Sequence, residues 1–380
     1  MNQAAAGPLE GIRVVERSAG VAAAAAGRLL AAMGAEVVLA EDPAGTPLRR
    51  EPPFIGPGIS ALFAYLAAGK RSVVVDGATA LHRLADGADI LIDDTPVEDR
   101  VALGLDPAAV RRRYPRIVHV SVLPFGASGP KAGWRGEEVN LIHASGEGYL
   151  LPNGLSVELF PDRPPLKIHG HFACWQAGVA AVLGALSALW SSTGQFVDIS
   201  VQDAALAVGA FAIQRLGDGE VEHRTTRSFR FGGVIECRDG YVELLTLEDR
   251  QWQGLVKLMG DPDWAADPAL ADPVSRSAKG KEINARIRAW ALQHPVAELV
   301  ARAQELGVPM GRYNTPAEIL AGPHENARGI FAPVAMLGLG PVPVLSAPVR
   351  FGPDALPLRR GPPDLGADQR LLAQPAAEVA

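Results

Sequence analysis

Short apolar runs alternate with segments of helical periodicity through the first half of the chain. The apolar runs lie at 12–16, 35–41, 72–75, 90–92 and 117–122. Between the first two, alanine and leucine recur at helical spacing over 22–33, which indicates a βαβ unit. Because the later runs continue the same alternation, the pattern predicts an α/β fold with a large doubly wound, Rossmann-like parallel sheet.

A different pattern follows the charged, glycine-containing stretch at 216–230, which is typical of a linker. Two strand-like runs flank Asp239-Gly240, a dipeptide that favours a hairpin turn, and helical patterns follow at 251–259 and 283–306. These features predict a smaller α+β domain. The predicted division is a large domain over 1–215, a linker over 216–230, a small domain over 231–331, and a Pro- and Gly-rich segment over 332–380 that returns to the large domain or crosses a second chain.

The amino-acid composition narrows the class of protein. Hydrophobic residues make up 48% of the chain and charged residues 21%, as in soluble globular proteins. With 36 basic against 42 acidic side chains and a net charge of −6, the chain has no basic field for nucleic acid or an anionic membrane. Its two cysteines are too few for a disulfide framework, and 1–7 lacks the features of a signal peptide. We therefore predict a cytoplasmic protein with no nucleic-acid or membrane partner.

Several sequence motifs of common cofactor sites are missing. The first βα turn, Ser18-Ala19-Gly20, lacks the Gly-x-Gly-x-x-Gly pattern of dinucleotide-binding folds, and the chain has no phosphate loop, zinc helix or nucleophile elbow. We therefore expect neither a nicotinamide nor a flavin cofactor. His171 and Cys174 are close in sequence, but a structural zinc site needs four ligands, so we expect no metal either.

A series of short motifs along nearly the whole chain resembles the class III CoA-transferases. The motifs include Gly69-Lys70-Arg71-Ser72, Ser128-Gly129-Pro130, Val197-Asp198-Ile199-Ser200 and Gly307-Val308-Pro309. Each motif alone is weak, but about ten in the family's order are specific. The resemblance implies coenzyme A as part of an acyl-CoA substrate and a carboxylic acid as the second substrate. It also implies an interlocked assembly, formed with an identical chain or with a paralogous subunit.

The position of the family's catalytic aspartate carries a cysteine in this chain. Members of the family attack the thioester with an aspartate at the start of an Ala-rich helix, which gives a mixed anhydride. Cys174 stands at the corresponding place, and no Asp or Glu occurs between Arg163 and Gly194. A reactive thiolate at Cys174 would form an acyl-cysteine instead, whereas a buried thiol would only fill the space of the aspartate. Both alternatives remain open from the sequence.

Two further candidate catalytic residues flank this position in the resemblance. The loop over 136–146 resembles the corresponding loop of α-methylacyl-CoA racemases, and Glu137 replaces the racemase histidine. His171 is available for proton transfer or for binding a carboxylate. Because the racemase aspartate is also lost at Cys174, the acid–base pair for proton exchange next to a thioester is absent.

The predicted contacts to coenzyme A are partly altered from the family pattern. Acidic Asp94 opens the segment that in the family reads Asn-Phe-Arg-Pro-Gly and lies near the adenine, a change that should weaken CoA binding. Cationic side chains remain as candidates for phosphate contacts, and one loop residue matches the family. The predicted CoA-binding residues are therefore Arg49, Lys70, Arg71, Asp94, Lys131 and Asn140.

Three functions fit this sequence. In the first, the chain is a subunit of a CoA-transferase that moves CoA from a donor such as succinyl-CoA to an acid, and a paralogous partner supplies the aspartate, as the resemblance to benzylsuccinate CoA-transferase implies. In the second, the chain alone is an acyl-CoA isomerase or acyltransferase that uses His171, Cys174 or Glu137. In the third, it is a scaffold that binds acyl-CoA without turnover.

Overall fold

The described part of the chain forms two compact units. The computed structural model describes residues 7–151, 162, 164, 166–191, 193–209, 231–336, 339–351, 356 and 358–373. The larger unit lies within 1–147, 167–211 and 320–380, and the smaller one within 148–166 and 212–319. The predicted linker over 216–230 lies outside the described residues.

The strands are β1 Arg13–Arg17, β2 Glu36–Glu41, β3 Phe54–Gly56, β4 Ile59–Ser60, β5 Arg71–Val74, β6 Ile90–Asp93, β7 Val118–Leu123, β8 Gln195–Ser200, β9 Gly233–Cys237, β10 Gly240–Leu244, β11 Met310–Arg312, β12 Phe331–Met336 and β13 Gly340–Leu345. The helices are α1 Val21–Ala32, α2 Ala61–Ala67, α3 Gly77–Ala85, α4 Arg100–Leu103, α5 Pro107–Arg113, α6 Glu138–Ala144, α7 Glu147–Leu150, α8 Phe172–Trp190, α9 Val201–Val208, α10 Asp249–Leu258, α11 Pro273–Ala278, α12 Gly280–Ala291, α13 Val296–Glu305, α14 Pro316–Ala321 and α15 Pro323–Arg328.

A six-stranded parallel sheet organises the larger unit. Its strand order is β5-β2-β1-β6-β7-β8, the order of a doubly wound sheet. Val14 belongs to the hydrophobic core on one side of the sheet and its neighbour Val15 to the core on the other, because successive side chains point to opposite faces. The sheet is therefore covered on both faces, which explains the nearly continuous apolar runs of its strands. The predicted α/β fold class is confirmed.

The central helix of this unit, α8, is apolar around most of its circumference. By length and composition it could cross a bilayer, but such a helix also occurs in the core of soluble proteins. It packs closely against α1, where Gly178 allows the approach: a Cβ at this position would lie 2.8 Å from the Ala25 Cβ. This contact fixes the start of α8 relative to the sheet.

The C-terminal segment packs on the larger unit. Asp368 forms an ion pair with Arg71 and accepts a hydrogen bond from the Ser72 backbone N–H at 3.1 Å. Within the segment, β12 and β13 form an antiparallel hairpin that the sequence does not predict. The prolines of this hairpin argue against strands in the sequence, because proline is rare in the interior of a sheet. In the structure Pro333 pairs with Pro343 across the two strands.

The smaller unit is an α+β structure around a three-stranded antiparallel sheet. The strand order is β11-β10-β9, and the β9–β10 hairpin turns just before Gly240, as the sequence predicts. Asp239 in that turn accepts a hydrogen bond from the Val296 N–H at 2.7 Å, which links the turn to the start of α13. Cys237 is buried in the hydrophobic core of this unit.

Candidate active site

A cavity of about 550 Å³ lies at the carboxyl ends of β1, β6 and β7 in the larger unit. This edge of a doubly wound sheet is where such folds bind ligands, because the strand order reverses there and leaves a crevice. We call it the sheet-edge cavity. Among the residues that line it are Asp94, Trp134, Glu137, Glu138, His171 and Cys174.

The start of α8 forms one wall of the sheet-edge cavity. His171 precedes the helix as its N-cap residue, and Cys174 lies in its first turn. The backbone N–H groups in a first turn have no partner within the helix. Here the Glu138 carboxylate supplies one: its Oε1 accepts from the Ala173 N–H at 2.9 Å and its Oε2 from the Cys174 N–H at 3.1 Å.

Glu138 reaches α8 from the first residue of α6, 36 positions before Cys174. Its side chain is only 5% exposed. The two residues predicted nearby, Glu137 and Asn140, are engaged in the local structure of α6: their side chains form a capping box that closes the helix start. Glu137 also lines the cavity. The capping box thus holds the backbone from which Glu138 projects.

Cys174 is a neutral thiol at physiological pH. Partial burial raises its pKa well above the usual range of a thiol, and the neighbouring Glu138 adds to the shift through its charge and a hydrogen bond. A helix N-terminus alone would favour a thiolate. In this site the adjacent carboxylate already uses the N–H groups of the first turn, so the thiol receives little of that stabilisation.

His171 completes a compact group with these two residues. The ligand atoms of Glu138, His171 and Cys174 all lie within 4.8 Å of one another. The group could hold a cation, but the helix start presents positive partial charge to the same point, which disfavours one. His169, two residues earlier, is exposed and does not join the group.

Asp94 occupies the start of the other helix at this edge, α1. Its carboxylate accepts hydrogen bonds from the Ala19 N–H at 2.9 Å and the Gly20 N–H at 2.7 Å. In dinucleotide-binding folds the pyrophosphate binds at this helix start. Burial raises the pKa of Asp94 to about 7, although the two N–H donors oppose the shift. A side chain of the protein therefore fills the position of a bound anion.

Three of the predicted phosphate-binding cations are paired with carboxylates of the fold. Lys70 is 1% exposed and its Nζ lies 2.7 Å from the Glu16 Oε2. Arg49 pairs with Glu41 at 2.7 Å. Arg71 contacts two carboxylates, those of Glu36 and Asp368. Their charges are balanced within the sheet and its neighbours.

Lys131 differs from these three cations. Its Nζ lies 5.3 Å from the ring centre of Phe125 and 5.4 Å from that of Trp134, and Trp134 lines the sheet-edge cavity. Arg135 lines the same cavity. The sequence does not single out Arg135, because the surrounding loop has neither a periodic pattern nor a recognised motif. The cavity thus includes one cation, Arg135, and the exposed ring of Trp134, which has Lys131 beside it.

Glu138 is the main site residue that the sequence leaves out. Counting along the chain for a carboxylate near Cys174 finds none, since the carboxylate comes from another helix. One local signal exists: Glu137 and Glu138 are adjacent at the start of α6, and because neighbouring side chains of a helix point in different directions, the two carboxylates need not share one environment.

The fold and cavity define an α/β enzyme with a ligand site at the switch point of a parallel sheet. The sequence matches the family model of CoA-transferase family III over residues 9–369. The chain belongs to this family and is a CoA-transferase, which acts on CoA thioesters. The family resemblance of the sequence motifs is confirmed.

Named relatives agree with this assignment. The chain is 33% identical to a probable CoA-transferase of Mycobacterium tuberculosis over 80% of its own length, a match that spans 39% of that protein. It is 30% identical to the succinyl-CoA–D-citramalate CoA-transferase of Chloroflexus aurantiacus, covering 84% of this chain and 82% of the relative. It is 28% identical to subunit BbsE of the succinyl-CoA:(R)-benzylsuccinate CoA-transferase of Thauera aromatica, covering 93% and 91%.

A solved structure shares the same fold. The crystal structure of a CaiB/BaiF family protein from Brucella suis superposes with a TM-score of 0.84 at 28% sequence identity. The match covers 97% of this chain and 99% of that structure. The fold of the chain is therefore shared with a solved member of the CaiB/BaiF family.

Proposed function

We propose that this chain transfers CoA between a succinyl-CoA-type donor and a carboxylic acid in the sheet-edge cavity. The observation that carries the proposal is the buried carboxylate of Glu138 at the wall of a cavity large enough for an acyl group and the end of the CoA arm. Two relatives are named for reactions of succinyl-CoA, which supports the choice of donor. The reaction takes place in the cytoplasm, where acyl-CoA substrates and reduced cysteines occur together.

The rim of the cavity supports the proposed binding mode. CoA carries anionic phosphates, and Lys131 and Arg135 offer donors for them beside Trp134, whose ring is available for stacking. The thioester end then points toward the start of α8. His171 lies there as a donor for the carboxylate of the acid substrate.

Cys174 has no covalent role in this proposal. A cysteine nucleophile must be a thiolate, and the environment of Cys174 favours the protonated thiol instead. The thiol fills the volume of the family's aspartate.

A second version of the proposal places the catalytic aspartate on a paralogous partner. The likeness to BbsE, which is named as a subunit, favours it. In that version this chain binds substrate and completes the assembly, and it is inactive alone.

An isotope-exchange assay tests the proposal without knowledge of the acceptor acid. The purified chain is mixed with succinyl-CoA and isotopically labelled succinate, alone and with an aspartate-bearing paralogue from the same genome. CoA transfer moves the label into succinyl-CoA. Glutaryl-CoA with labelled glutarate provides a second donor. Failure of both pairs to exchange, with and without the paralogue, would refute the proposed function.

A further inference from the structure

We propose that Glu138 is the carboxylate nucleophile of this chain and replaces the family's missing aspartate from a different helix. This inference rests on the proposed CoA transfer and assigns the residue that carries it. It removes the need for a catalytic residue from a partner. The position of the Glu138 carboxylate at the start of α8 is the observation behind it.

The carboxylate of Glu138 meets the requirements of a nucleophile at this place. It lies at the first turn of α8, where the family's aspartate would project, and its side chain lines the sheet-edge cavity. One carboxylate oxygen of Glu138 lies within 4.8 Å of the Cys174 Sγ. A thioester carbonyl therefore needs to move only a short distance from position 174 to be attacked by Glu138 instead. The capping box of α6 fixes its backbone.

Other carboxylates at the cavity are less suitable. Glu137 is exposed, and its side chain is committed to the capping box of α6. Asp94 is bound to the start of α1 instead of α8. Among the described residues that line the cavity, Glu138 is the carboxylate that combines burial with contact to the start of α8.

The first half-reaction balances without any added reactant. An Oε of Glu138 attacks the thioester carbonyl, the C–S bond breaks, and its electron pair leaves on the CoA thiolate. The product is an anhydride between Glu138 and the acyl group. The thiolate then attacks Cδ of Glu138, the bond from Cδ to the bridging oxygen breaks, and the first acid departs as a carboxylate. A γ-glutamyl-CoA thioester remains.

The second half-reaction reverses these steps with the acceptor acid. Its carboxylate attacks Cδ of Glu138 and displaces the CoA thiolate, which gives a second anhydride. The thiolate attacks the acyl carbonyl of that anhydride, so the new acyl-CoA forms and the Glu138 carboxylate is restored. No proton, oxidant or reductant is consumed in the cycle.

The first turn of α8 stabilises the intermediates of this chemistry. When a thiolate or carboxylate adds to Cδ, negative charge develops on the Glu138 oxygen. The N–H groups of Ala173 and Cys174 already lie 2.9 and 3.1 Å from the two carboxylate oxygens. They form a ready oxyanion hole, because donors held at such distances stabilise the developing charge without reorganisation.

The test maps the covalent intermediate on the unaltered protein. The chain is incubated with succinyl-CoA, quenched with hydroxylamine, digested and analysed by mass spectrometry, both alone and with the paralogue. A γ-glutamyl-CoA thioester reacts to leave a hydroxamate on Glu138. An acyl-cysteine would instead return as unmodified Cys174.

The outcomes separate this inference from the proposed function. A hydroxamate on Glu138 together with isotope exchange by the chain supports both. Exchange with the hydroxamate on an aspartate of the paralogue, or with an acyl adduct on Cys174 in a parallel sample quenched with acid instead of hydroxylamine, overturns the inference and leaves the CoA-transferase function standing. Absence of exchange in every mixture refutes the function and the inference together.

The isotope-exchange rates of two variants test the same assignment. Glu138→Gln keeps the size of the side chain and one acceptor oxygen, and we expect it to lower the exchange rate by about 10³-fold or more. Val179→Ala, at an exposed position of α8 outside the cavity, should change the rate by no more than about twofold. Thermal unfolding of both variants verifies that they are folded. Exchange by a folded Glu138→Gln variant at an undiminished rate would contradict the assignment.

Discussion

At the scale of single residues, Cys174 shows how far the surroundings of a side chain decide its chemistry. A helix N-terminus normally lowers the pKa of a thiol, and the sequence therefore leaves a reactive cysteine open. In the structure, burial and the Glu138 carboxylate raise that pKa instead. This outcome depends on a glutamate 36 positions away, so counting along the chain could not reveal it.

The first prediction concerns the reactivity of this thiol. With Cys237→Ala as the background, Cys174 should react at pH 7 with a disulfide reagent at least about tenfold more slowly than a free thiol, because only the thiolate reacts. The rate should continue to rise with pH above the ordinary pKa of cysteine, since the pKa is raised. Measurement of reagent release against pH tests both statements.

Replacing the neighbouring charge provides the control for that experiment. Glu138→Gln removes the carboxylate that raises the pKa, so Cys174 should react faster in this variant at the same pH. A rate for the unaltered chain equal to that of a free thiol at pH 7 would contradict the prediction.

At the scale of secondary-structure elements, the crossing of α1 and α8 determines where the site residues lie. Gly178 lies at the contact, and a Cβ there would meet the Ala25 Cβ at 2.8 Å and the Ala22 carbonyl oxygen at 3.2 Å. The sequence predicts α1 from the helical spacing over 22–33, and the family resemblance implies an Ala-rich helix at the position of α8. It does not predict how close they come, because the spacing depends on one small residue at the crossing.

The second prediction follows from this contact. Gly178→Ala should lower the free energy of unfolding by about 1–3 kcal/mol, since a packed crossing cannot absorb an added methyl group without shifting backbone. The increased helix propensity of alanine offsets only part of the cost. Chemical denaturation measures the difference.

Val179→Ala is the matched control on the same helix. The Val179 side chain is 52% exposed, so its truncation should change the stability by no more than about 0.5 kcal/mol. Equal effects of the two substitutions would show that the crossing is looser than the structure indicates.

At the scale of the whole molecule, contacts distant in sequence hold the larger unit together. The sequence predicts the parallel sheet because each strand carries its own apolar run. Contacts of the C-terminal segment were harder to predict, because they depend on polar pairs such as Asp368 with Arg71, which are 297 positions apart. Glu138 could not be predicted as a site residue for the same reason, since its partners lie on another helix. Hydrophobic periodicity predicts individual helices and strands. Contacts between polar residues of different elements produce no local sequence pattern, so they cannot be predicted in this way.

The third prediction addresses this long-range contact. Asp368 is buried and receives hydrogen bonds from Arg71, Arg360 and the Ser72 backbone. Asp368→Ala should therefore lower the free energy of unfolding by about 1–2 kcal/mol, since it leaves the buried Ser72 N–H without this acceptor, whereas the partly exposed Arg71 and Arg360 can turn to water. Differential scanning calorimetry would show a reduced Tm.

Asp364→Ala is the control for Asp368→Ala, because Asp364 is an exposed carboxylate of the same segment. Its substitution should leave the Tm nearly unchanged. If Asp368→Ala proved equally neutral, the C-terminal segment would not stabilise the larger unit through this contact.

Because Glu138 of α6 caps α8, residue 174 can change more freely during evolution. If the side chain at position 174 itself closed the helix start, any mutation of that residue would also damage the fold. Here Glu138 satisfies the first turn whichever side chain occupies position 174. The position is thus released from a structural constraint, and neutral drift can sample new residues there while the protein remains folded, which is a route by which one family acquires new substrates.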